Sequence, residues 1–430
     1  MTTLDELSRG SLGGTRELRL RGGLTEFPRD ILGLAETLEV LDLSDNALDS
    51  LPDDFGRLSR LRVLFCSGNR FTRLPPVLGD CVALTQVGFR ATGLREIPAE
   101  ALPAGLRWLT VTDNQLDRVP AALGERPALQ KLMLSGNRLR HLPDSMAGAP
   151  GLELLRLSAN RFDALPNWVA ELPRLAWLAY AGNPLDRRIE APEAVVAAWA
   201  HLQPGILLGE GASGHVYRAN WRPDQSPARD VALKLFKGAM TSDGLPDREI
   251  AACLAAGDHP NLIGGIAGVT GHPANLPGLL MPLLPPDWRV LAGPPSLQSC
   301  SRDIYDPSAQ FTAETVHRIA GGIAAAGAHL HERGLLHGDL YAHNTLWDGA
   351  AGRAVLSDFG AASFLPGGET GSAIAKTDVL AWGLLLGELL DRCPDVLSTL
   401  RDLQHDCLQA TPSARPTMAD VLDRLQRFET

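Results

Sequence analysis

The first half of this chain repeats one pattern of leucines at a nearly constant interval. The pattern L-x-x-L-x-L-x-x-N-x-L recurs, with single substitutions, around Asn positions 46, 69, 92 (a Thr), 114, 137, 160 and 183. The steps between these positions are 23, 23, 22, 23, 23 and 23 residues. Because a unit this short cannot bury its apolar side alone, the interval predicts a stack of similar units around one continuous core.

Two further features belong to the same repeat. An apolar residue followed by Pro comes after six of the seven units, and residues 16–28 form a degenerate first turn. The Asn side chain can bond the backbone at each turn, so the shorter Thr92 predicts a local irregularity. Over about residues 15–188 the pattern resembles the leucine-rich repeat family. The resemblance implies an α/β solenoid, or horseshoe, that binds protein partners.

The third, fifth and seventh positions of each unit form the strand face that lies outside the core. Five residues at these positions are large and apolar, which is unusual for a solvated face: Phe65, Trp108, Met133, Leu154 and Trp177. Exposed apolar patches mark partner sites, so we expect a protein partner on this face. The alternative is that these side chains pack on one another or on the following domain. For Trp177, near the end of the repeats, that alternative is favoured.

The second half begins with a segment that we interpret as a linker. It covers residues 191–204 and has helical character around VVAAWAHL. The next segment, LLGEGASGHVYRANW (207–221), is glycine-rich. Glycines let the backbone of a hairpin approach phosphates closely, although alone such a run could be an ordinary turn.

A lysine and a carboxylate stand out in the two segments that follow. Lys234 lies in the apolar segment VALKLF and is one of only four lysines among 40 basic residues. Glu249, in DREIAACL, comes 15 residues later. Alternatively, Glu249 lies on a solvated helix face. Asp247 is the other candidate for the carboxylate that pairs with Lys234.

The motifs then continue in a fixed order along the chain. They are a strand leading into a hinge (278–288), a helical apolar pattern (312–334), HGDLYAHN (337–344), VLSDFG (355–360), the apparent start of a helix in KTDVLAWG (376–383), and the closing segment 407–422. In the segment KTDVLAWG, Asp378 is expected to support the HGDLYAHN loop from below.

In this order the motifs resemble the protein kinase family, in its eukaryotic form, over about 225 residues. The resemblance implies an α+β bilobal fold with ATP and Mg²⁺ as cofactors. It divides the chain into a repeat domain (1–190), the linker (191–204) and a kinase domain (205–430). It assigns catalytic roles to Asp339, Lys234 and Glu249, and metal binding to Asn344 and Asp358. It assigns ATP binding to Leu208, Gly209, Gly211, Gly214, Val216, Ala232, Lys234, Met281, Pro282 and Leu284.

The loop HGDLYAHN departs from the family pattern in two places. Gly338 stands where the family has an Arg that binds phosphate on the activation loop, so we expect no need for phosphorylation of that loop. Tyr341 stands where serine/threonine kinases have Lys. His343 occupies the place of the tyrosine-kinase Arg, and it either assists as a partly charged group or caps the loop structurally.

The segment after VLSDFG is also short. Only 19 residues separate Phe359 from Asp378, and no A-P-E motif is present. Glu369 is a candidate carboxylate partner for Arg415, which otherwise needs another partner. The stretch 391–406 is brief for its region, so the platform for a protein substrate is small.

The expected function is therefore an active protein kinase that acts on Ser or Thr of a protein substrate. Two alternatives remain open. One is a scaffold whose repeats bind a protein while a pseudokinase domain only senses ATP. The other is a small-molecule phosphotransferase, because H-G-D-L also resembles the loop of aminoglycoside and choline kinase-like enzymes.

Composition limits the setting of this activity. The formal net charge is −10 and no basic run exists, which argues against a nucleic-acid partner. Six scattered cysteines without a C-x-x-C pair favour a reduced, cytoplasmic protein, and the polar N-terminus is unlike a signal peptide. No apolar stretch is long enough to span a membrane. The Arg-rich, Lys-poor usage indicates a GC-rich genome of the bacterial kind.

Overall fold

The computed structural model describes residues 3–186, 195–211, 213–223, 227–238, 240–241, 243–395 and 398–427. The chain divides into two compact units, Met1–Trp168 and Val169–Thr430. The border precedes the end of the last leucine repeat, so that the strand of this repeat belongs to the second unit. In the described part of the chain, no helix combines the length and apolar character needed to cross a bilayer.

The first unit is the stack of parallel strands that the repeat predicts. After helix α1 (Thr3–Ser8), neighbouring strands pair in chain order with a constant register, so that Leu41 lies beside Leu64 and Leu64 beside Val87. The degenerate first turn also forms a strand that pairs with the second. The strands are β1 (Glu17–Arg19), β2 (Val40–Asp42), β3 (Val63–Phe65), β4 (Gln86–Gly88), β5 (Trp108–Thr110), β6 (Lys131–Met133) and β7 (Leu154–Arg156).

Short 3-10 helices lead the chain back between these strands. Several begin directly after the Pro of the apolar-Pro pair, whose fixed φ suits the entry to a helical turn. The helices are Arg29–Leu34, Phe55–Arg57, Pro76–Asp80, Ala99–Ala101, Ala121–Leu123 and Asp144–Gly148, and Asn167–Glu171 crosses the border of the units.

The repeated Asn side chains join successive turns. Asn69 Nδ2 donates to the carbonyl oxygens of Leu43 and Cys66, both at 2.9 Å, and its Oδ1 accepts from Leu48 N–H at 2.9 Å. Thr92 keeps only one of these bonds, from its Oγ1 to the Phe89 carbonyl oxygen at 3.3 Å. Asn114 Oδ1 accepts the regular bond from Leu94 N–H at 2.9 Å and two additional ones, from the N–H groups of Thr92 and Gly93 at 3.1 and 2.9 Å. The irregularity expected at Thr92 is thus confirmed, and its neighbour in the next repeat compensates for it.

The second unit begins with β8 (Trp177–Ala179) and continues into a six-stranded sheet with the order β10-β11-β12-β14-β13-β9. The strands are β9 (Val196–Ala198), β10 (Leu202–Glu210), β11 (Gly214–Trp221), β12 (Arg229–Phe236), β13 (Ala267–Thr270) and β14 (Gly278–Met281). Helix α2 (Pro246–Ala256) lies between β12 and β13 in the chain.

The prediction of a helix around VVAAWAHL is wrong for residues 196–198, and only Trp199–His201 form a helical turn, of the 3-10 type. Residues 196–198 form strand β9, which pairs in parallel with β13. Ala197 is buried in the apolar cluster of the sheet while its two neighbours are exposed, so tertiary burial overrides the helical preference of Ala. Residues 191–194, the beginning of the predicted linker, lie outside the described residues.

The rest of the second unit is mainly helical. Helix α3 begins after Thr312, whose hydroxyl caps it by accepting Thr315 N–H at 3.2 Å. The predicted helix in 376–383 is present but begins eight residues earlier, at Gly368. The elements are β15 (Arg289–Val290), α3 (Ala313–Glu332), β16 (Leu335–Leu336), β17 (Thr345–Trp347), β18 (Ala354–Leu356), β19 (Ser363–Phe364), α4 (Gly368–Leu390), α5 (Ser398–Cys407) and α6 (Met418–Arg427).

Candidate active site

The second unit contains a cleft of about 840 Å³. Its walls are the glycine-rich hairpin, the middle of the sheet, the segment after β14 and the last four residues of VLSDFG. All ten residues that the sequence assigns to ATP binding line it: Leu208, Gly209, Gly211, Gly214, Val216, Ala232, Lys234, Met281, Pro282 and Leu284.

The glycines of the hairpin serve two purposes. A Cβ added to Gly209 or Gly211 would meet no atom within 4 Å, so these positions keep the hairpin open toward the cleft. A Cβ on Gly214 would instead collide with the carbonyl oxygen of Leu235 in β12. Gly214 is therefore required by the pairing of the hairpin with its neighbouring strand.

Lys234 forms a buried ion pair with Glu249. The lysine lies in the central strand β12, and Glu249 lies in the first turn of α2, while Asp247 points away with a side chain that is 67% exposed. Burial lowers the pKa of Lys234, but the charges of Asp358 and Glu249 outweigh it, so the pKa lies above its ordinary value. The cleft therefore keeps a fixed positive charge, as binding of phosphates requires.

The HGDLYAHN loop holds Asp339 beside Asn344. Asn344 Nδ2 donates to Asp339 Oδ2 at 2.8 Å and to its carbonyl oxygen at 2.9 Å. His337 Nδ1 accepts the Asp339 N–H at 3.3 Å and its Nε2 lies 3.2 Å from the Ser357 carbonyl oxygen. Burial lowers the pKa of His337, which favours the neutral ring that this pattern of one acceptor and one donor needs.

Asp378, in the middle of α4, braces this loop from below. Its two carboxylate oxygens accept the N–H groups of His337 and Gly338, each at 2.9 Å, and His331 Nε2 at 3.0 Å. Burial raises the pKa of Asp378, but the hydrogen bonds and the nearby histidines outweigh it, so the pKa falls below its ordinary value. An ionised carboxylate at this place fixes the backbone on which Asp339 depends.

The two residues predicted to bind metal fit Mg²⁺. Asp358 is exposed at the cleft, and Gly360 N–H holds its Oδ1 at 3.1 Å. Asn344 is kept beside it, because Ser357 N–H donates to the Asn344 carbonyl oxygen at 2.9 Å. In the described residues no group of three or more His, Cys, Asp or Glu could hold a metal ion. One carboxylate and one amide oxygen suit Mg²⁺, which takes its other ligands from phosphates and water.

Comparisons with known families agree with this geometry. The profile of the protein tyrosine and serine/threonine kinase family matches residues 202–382. Two leucine-rich repeat profiles match the first half, over residues 37–58, 104–162 and 127–185. The chain joins leucine-rich repeats to a protein kinase domain.

Similar curated proteins include kinases. A probable serine/threonine-protein kinase of Dictyostelium discoideum is 24% identical over 275 residues, which are 53% of this chain and 16% of that protein. The probable serine/threonine-protein kinase kinY of the same organism is 31% identical over 211 residues, 46% and 35% of the two chains. The U2 small nuclear ribonucleoprotein A′ of Arabidopsis thaliana is 32% identical over 107 residues, 24% and 43%. The chain thus spans less than half the length of these relatives.

The kinase domain departs from its family at His343 in a way that the structure explains. His343 N–H donates to Asp303 Oδ2 at 2.9 Å, and its Nδ1 lies 2.7 Å from Asp303 Oδ1. Burial lowers the pKa of His343, but the hydrogen bond and charge of Asp303, with Asp339 and Asp358 farther off, outweigh it and raise the pKa. The sequence missed Asp303, which lies 40 residues away in an irregular segment without a motif.

Arg415 binds backbone rather than a carboxylate. It donates to the carbonyl oxygens of Gln409, Lys376 and Pro173 at 2.9, 3.3 and 2.7 Å. Glu369 lies in the exposed first turn of α4, so its suggested pairing with Arg415 is wrong. Three carbonyl dipoles replace the missing carboxylate.

The proposed partner face of the repeats is smaller than the sequence predicts. Met133 and Leu154 are only 8% and 3% exposed, so their expected place on a solvated face is wrong. Trp177 is 1% exposed and contacts Leu340 and Tyr341, which agrees with the favoured alternative of packing on the following domain. Phe65 and Trp108 remain half-buried and meet edge to face at 6.3 Å between ring centres. Gly88 lies under Phe65, because a Cβ there would overlap the ring.

Proposed function

We propose that this protein is an ATP- and Mg²⁺-dependent protein kinase that phosphorylates Ser or Thr of a protein substrate. The observation that supports it most is the ion pair of Lys234 and Glu249 in the same cleft as Asp358, with Asp339 and Asn344 bonded to each other beside it. Phosphoryl transfer depends on positioning and charge neutralisation, and these five groups supply both. The serine/threonine preference is supported by the names of the two Dictyostelium relatives.

Each residue has a defined task in this proposal. Lys234 binds the α- and β-phosphates and is oriented by Glu249. Asp358 and Asn344 would hold Mg²⁺, which neutralises charge on the phosphates when bound. Asp339 accepts the proton of the substrate hydroxyl, whose oxygen forms a bond to the γ-phosphorus as the bond to the β–γ bridging oxygen breaks.

Asn344 gives Asp339 its orientation in this mechanism. The bond from Asn344 Nδ2 to Asp339 Oδ2 orients the carboxylate that would accept the proton of the substrate hydroxyl. The same amide has its oxygen left for the metal. Loss of Asn344 would therefore disturb both the base and the metal site.

The direct test is transfer of label from γ-labelled ATP to a basic model protein in the presence of Mg²⁺. We expect label on the protein with the wild-type chain and none with Asp339→Asn. Asp402→Asn, an exposed carboxylate on α5, is the control for loss of one negative charge and should label normally. Mass spectrometry of the labelled residues then separates Ser and Thr from Tyr. Equal label with Asp339→Asn would contradict the proposal.

One observation favours a second candidate, a nucleotide-sensing scaffold. Between Phe359 and helix α4 lie only residues 360–367, which leaves little surface for docking a peptide. A chain that gains thermal stability with ATP and Mg²⁺ but transfers no label to proteins would support this candidate. Transfer to an amino-sugar in the same assay would instead support a small-molecule phosphotransferase.

The repeats are proposed to bind a protein partner through Phe65 and Trp108. Lys131 Nζ lies 4.2 Å from the Trp108 ring centre, which adds a positive charge beside the aromatic pair. Loss of binding to a captured partner in Phe65→Ala, with folding unchanged, tests this role. We also propose a cytoplasmic location, supported by six free cysteines, five of them buried.

A further inference from the structure

The strand of the last leucine repeat contacts the catalytic loop inside the second unit. The Trp177 indole stacks on the Tyr341 ring, with centres 4.1 Å apart and planes inclined by 6°. Its Nε1 donates to the carbonyl oxygen of Leu340 at 3.1 Å. Leu340 directly follows Asp339. The repeat therefore holds the backbone next to the proposed base by one hydrogen bond and one ring contact.

The same strand occupies the place that the family gives to an Arg side chain. Gly338 has φ of 69°, and a Cβ there would collide with the carbonyl oxygen of Leu178. No side chain fits between β8 and the loop at this point. The repeat strand can therefore pack against the loop only because position 338 is a glycine and not an Arg.

The repeat also contacts the segment that follows VLSDFG. Tyr180 N–H donates to Ser363 Oγ at 3.1 Å, and its hydroxyl donates to the Phe364 carbonyl oxygen at 3.1 Å. Ser363 and Phe364 form β19, which pairs with β16 just before the catalytic loop. One strand of the repeat therefore ties together the two segments that an activation loop would otherwise align.

These contacts coexist with an ordered nucleotide cleft. Lys234 and Glu249 are paired, and Asp378 holds the catalytic loop by two backbone bonds. Asp339 itself remains half-exposed, although the residues on either side of it are buried. The repeat thus supports the loop but does not cover Asp339, so it does not block access to the proposed base.

We propose that the last leucine repeat replaces a phosphorylated activation loop, and that Trp177 is the positioning residue that fixes the catalytic loop. This inference rests on the proposed kinase function. According to this proposal, folding of the repeat orders the catalytic loop, and no phosphate is needed on residues 360–367. Ser363, the hydroxyl residue of this segment, is itself fully buried against Tyr180.

The first test separates positioning from stability by steady-state kinetics of the full chain. Trp177→Ala should lower kcat at least about tenfold, since misplacing a base by a fraction of an ångström is costly, while KM for ATP changes less than about twofold. Trp177→Phe keeps the ring contact and should recover most of the rate. Trp199→Ala, a half-buried tryptophan elsewhere in the unit, is the matched control and should keep kcat.

The results of this test distinguish a wrong role for Trp177 from a wrong proposal of kinase function. A wild-type chain without transfer contradicts the proposed function itself. An active wild type with unchanged kcat in Trp177→Ala overturns the role of Trp177. If Trp177→Ala does not fold, Tyr341→Ala removes the ring contact from the other side: a kcat lowered at least about tenfold with KM for ATP within about twofold supports the inference, and an unchanged kcat overturns it.

A second test addresses phosphorylation directly. Wild-type protein treated with a broad-specificity protein phosphatase, and checked by mass spectrometry for loss of all phosphate, should keep its kcat within about twofold. A large loss of activity that returns on incubation with ATP would overturn the inference, because the repeat would then not suffice to order the loop.

Discussion

At the scale of single residues, Gly338 explains the most unusual feature of the catalytic loop. Its positive φ and its contact with Leu178 leave room for hydrogen only. The amide of the same residue is bound by Asp378. The position is therefore constrained from both sides, by α4 below and by the repeat strand above.

Gly338→Ala should lower the free energy of unfolding of the second unit by at least about 1–2 kcal/mol for the backbone alone, with the collision adding to this cost. Gly321→Ala is the matched control. Gly321 lies inside α3 with no atom within 4 Å of an added Cβ, so the change should stabilise by about 0.5–1 kcal/mol. Urea unfolding measures both, and equal effects of the two variants would contradict the argument.

The pair of His343 and Asp303 gives a prediction for pH. The pKa of His343 is raised in the folded chain, so its stabilising contribution is complete below its ordinary pKa, about 6.5. The contribution is lost as pH rises through the raised pKa. We expect wild type to melt above His343→Gln by a margin that is largest near about pH 6 and falls by about pH 9. Asp303→Asn should remove the pH dependence of that margin.

At the scale of elements, strand β9 fastens the start of the kinase domain to its sheet. Ala197 is 1% exposed and packs in the apolar cluster beneath β13, whereas Val196 is 58% exposed. The alternation follows from the two-residue period of a strand. A helix in the same place would not separate these neighbours so sharply.

The two neighbours provide a matched pair of substitutions. Ala197→Asp should destabilise the second unit by about 3 kcal/mol, because an unpaired charge enters an apolar cluster. Val196→Asp should change the stability by less than about 0.5 kcal/mol, since its side chain stays in water. Thermal unfolding of both variants is the measurement, and a larger effect of Val196→Asp would argue against β9.

At the scale of the whole molecule, the repeat pattern and the compact units end at different places. The leucine pattern runs on to about residue 185, but Val169–Thr430 is one unit. The side chains of Trp177 and Tyr180 are buried within that unit. We therefore propose that the functional border lies near residue 168 and not near 190.

Two fragments test this border. Residues 169–430 should be soluble and melt cooperatively, while 191–430 should melt lower or aggregate, since it lacks Trp177 and exposes Tyr341. Differential scanning calorimetry of both fragments is the measurement. Equal melting temperatures would favour the border near residue 190.

Much of this architecture follows from local sequence. The 23-residue interval predicted the seven strands β2 to β8, β1 lies in the degenerate first turn, and the order of short motifs predicted the lining of the cleft. These features depend on residues close in sequence or on fixed spacing. The place of Trp177 near the end of the repeats favoured packing on the following domain, but its partner in the catalytic loop lies 163 positions away, and no local pattern predicts that partner. The glycine at position 338 indicated that the usual Arg is missing, but it did not indicate which part of the chain packs there instead.

The fit between Gly338 and Leu178 also concerns how such genes evolve. A kinase domain with Arg at this loop position could not be joined to this repeat, because its side chain would meet the repeat backbone. The last repeat and the kinase domain are therefore expected to be inherited together. Recombination between related genes should yield active hybrids when the crossover falls before codon 169, and inactive ones when it falls between the last repeat and the glycine-rich hairpin.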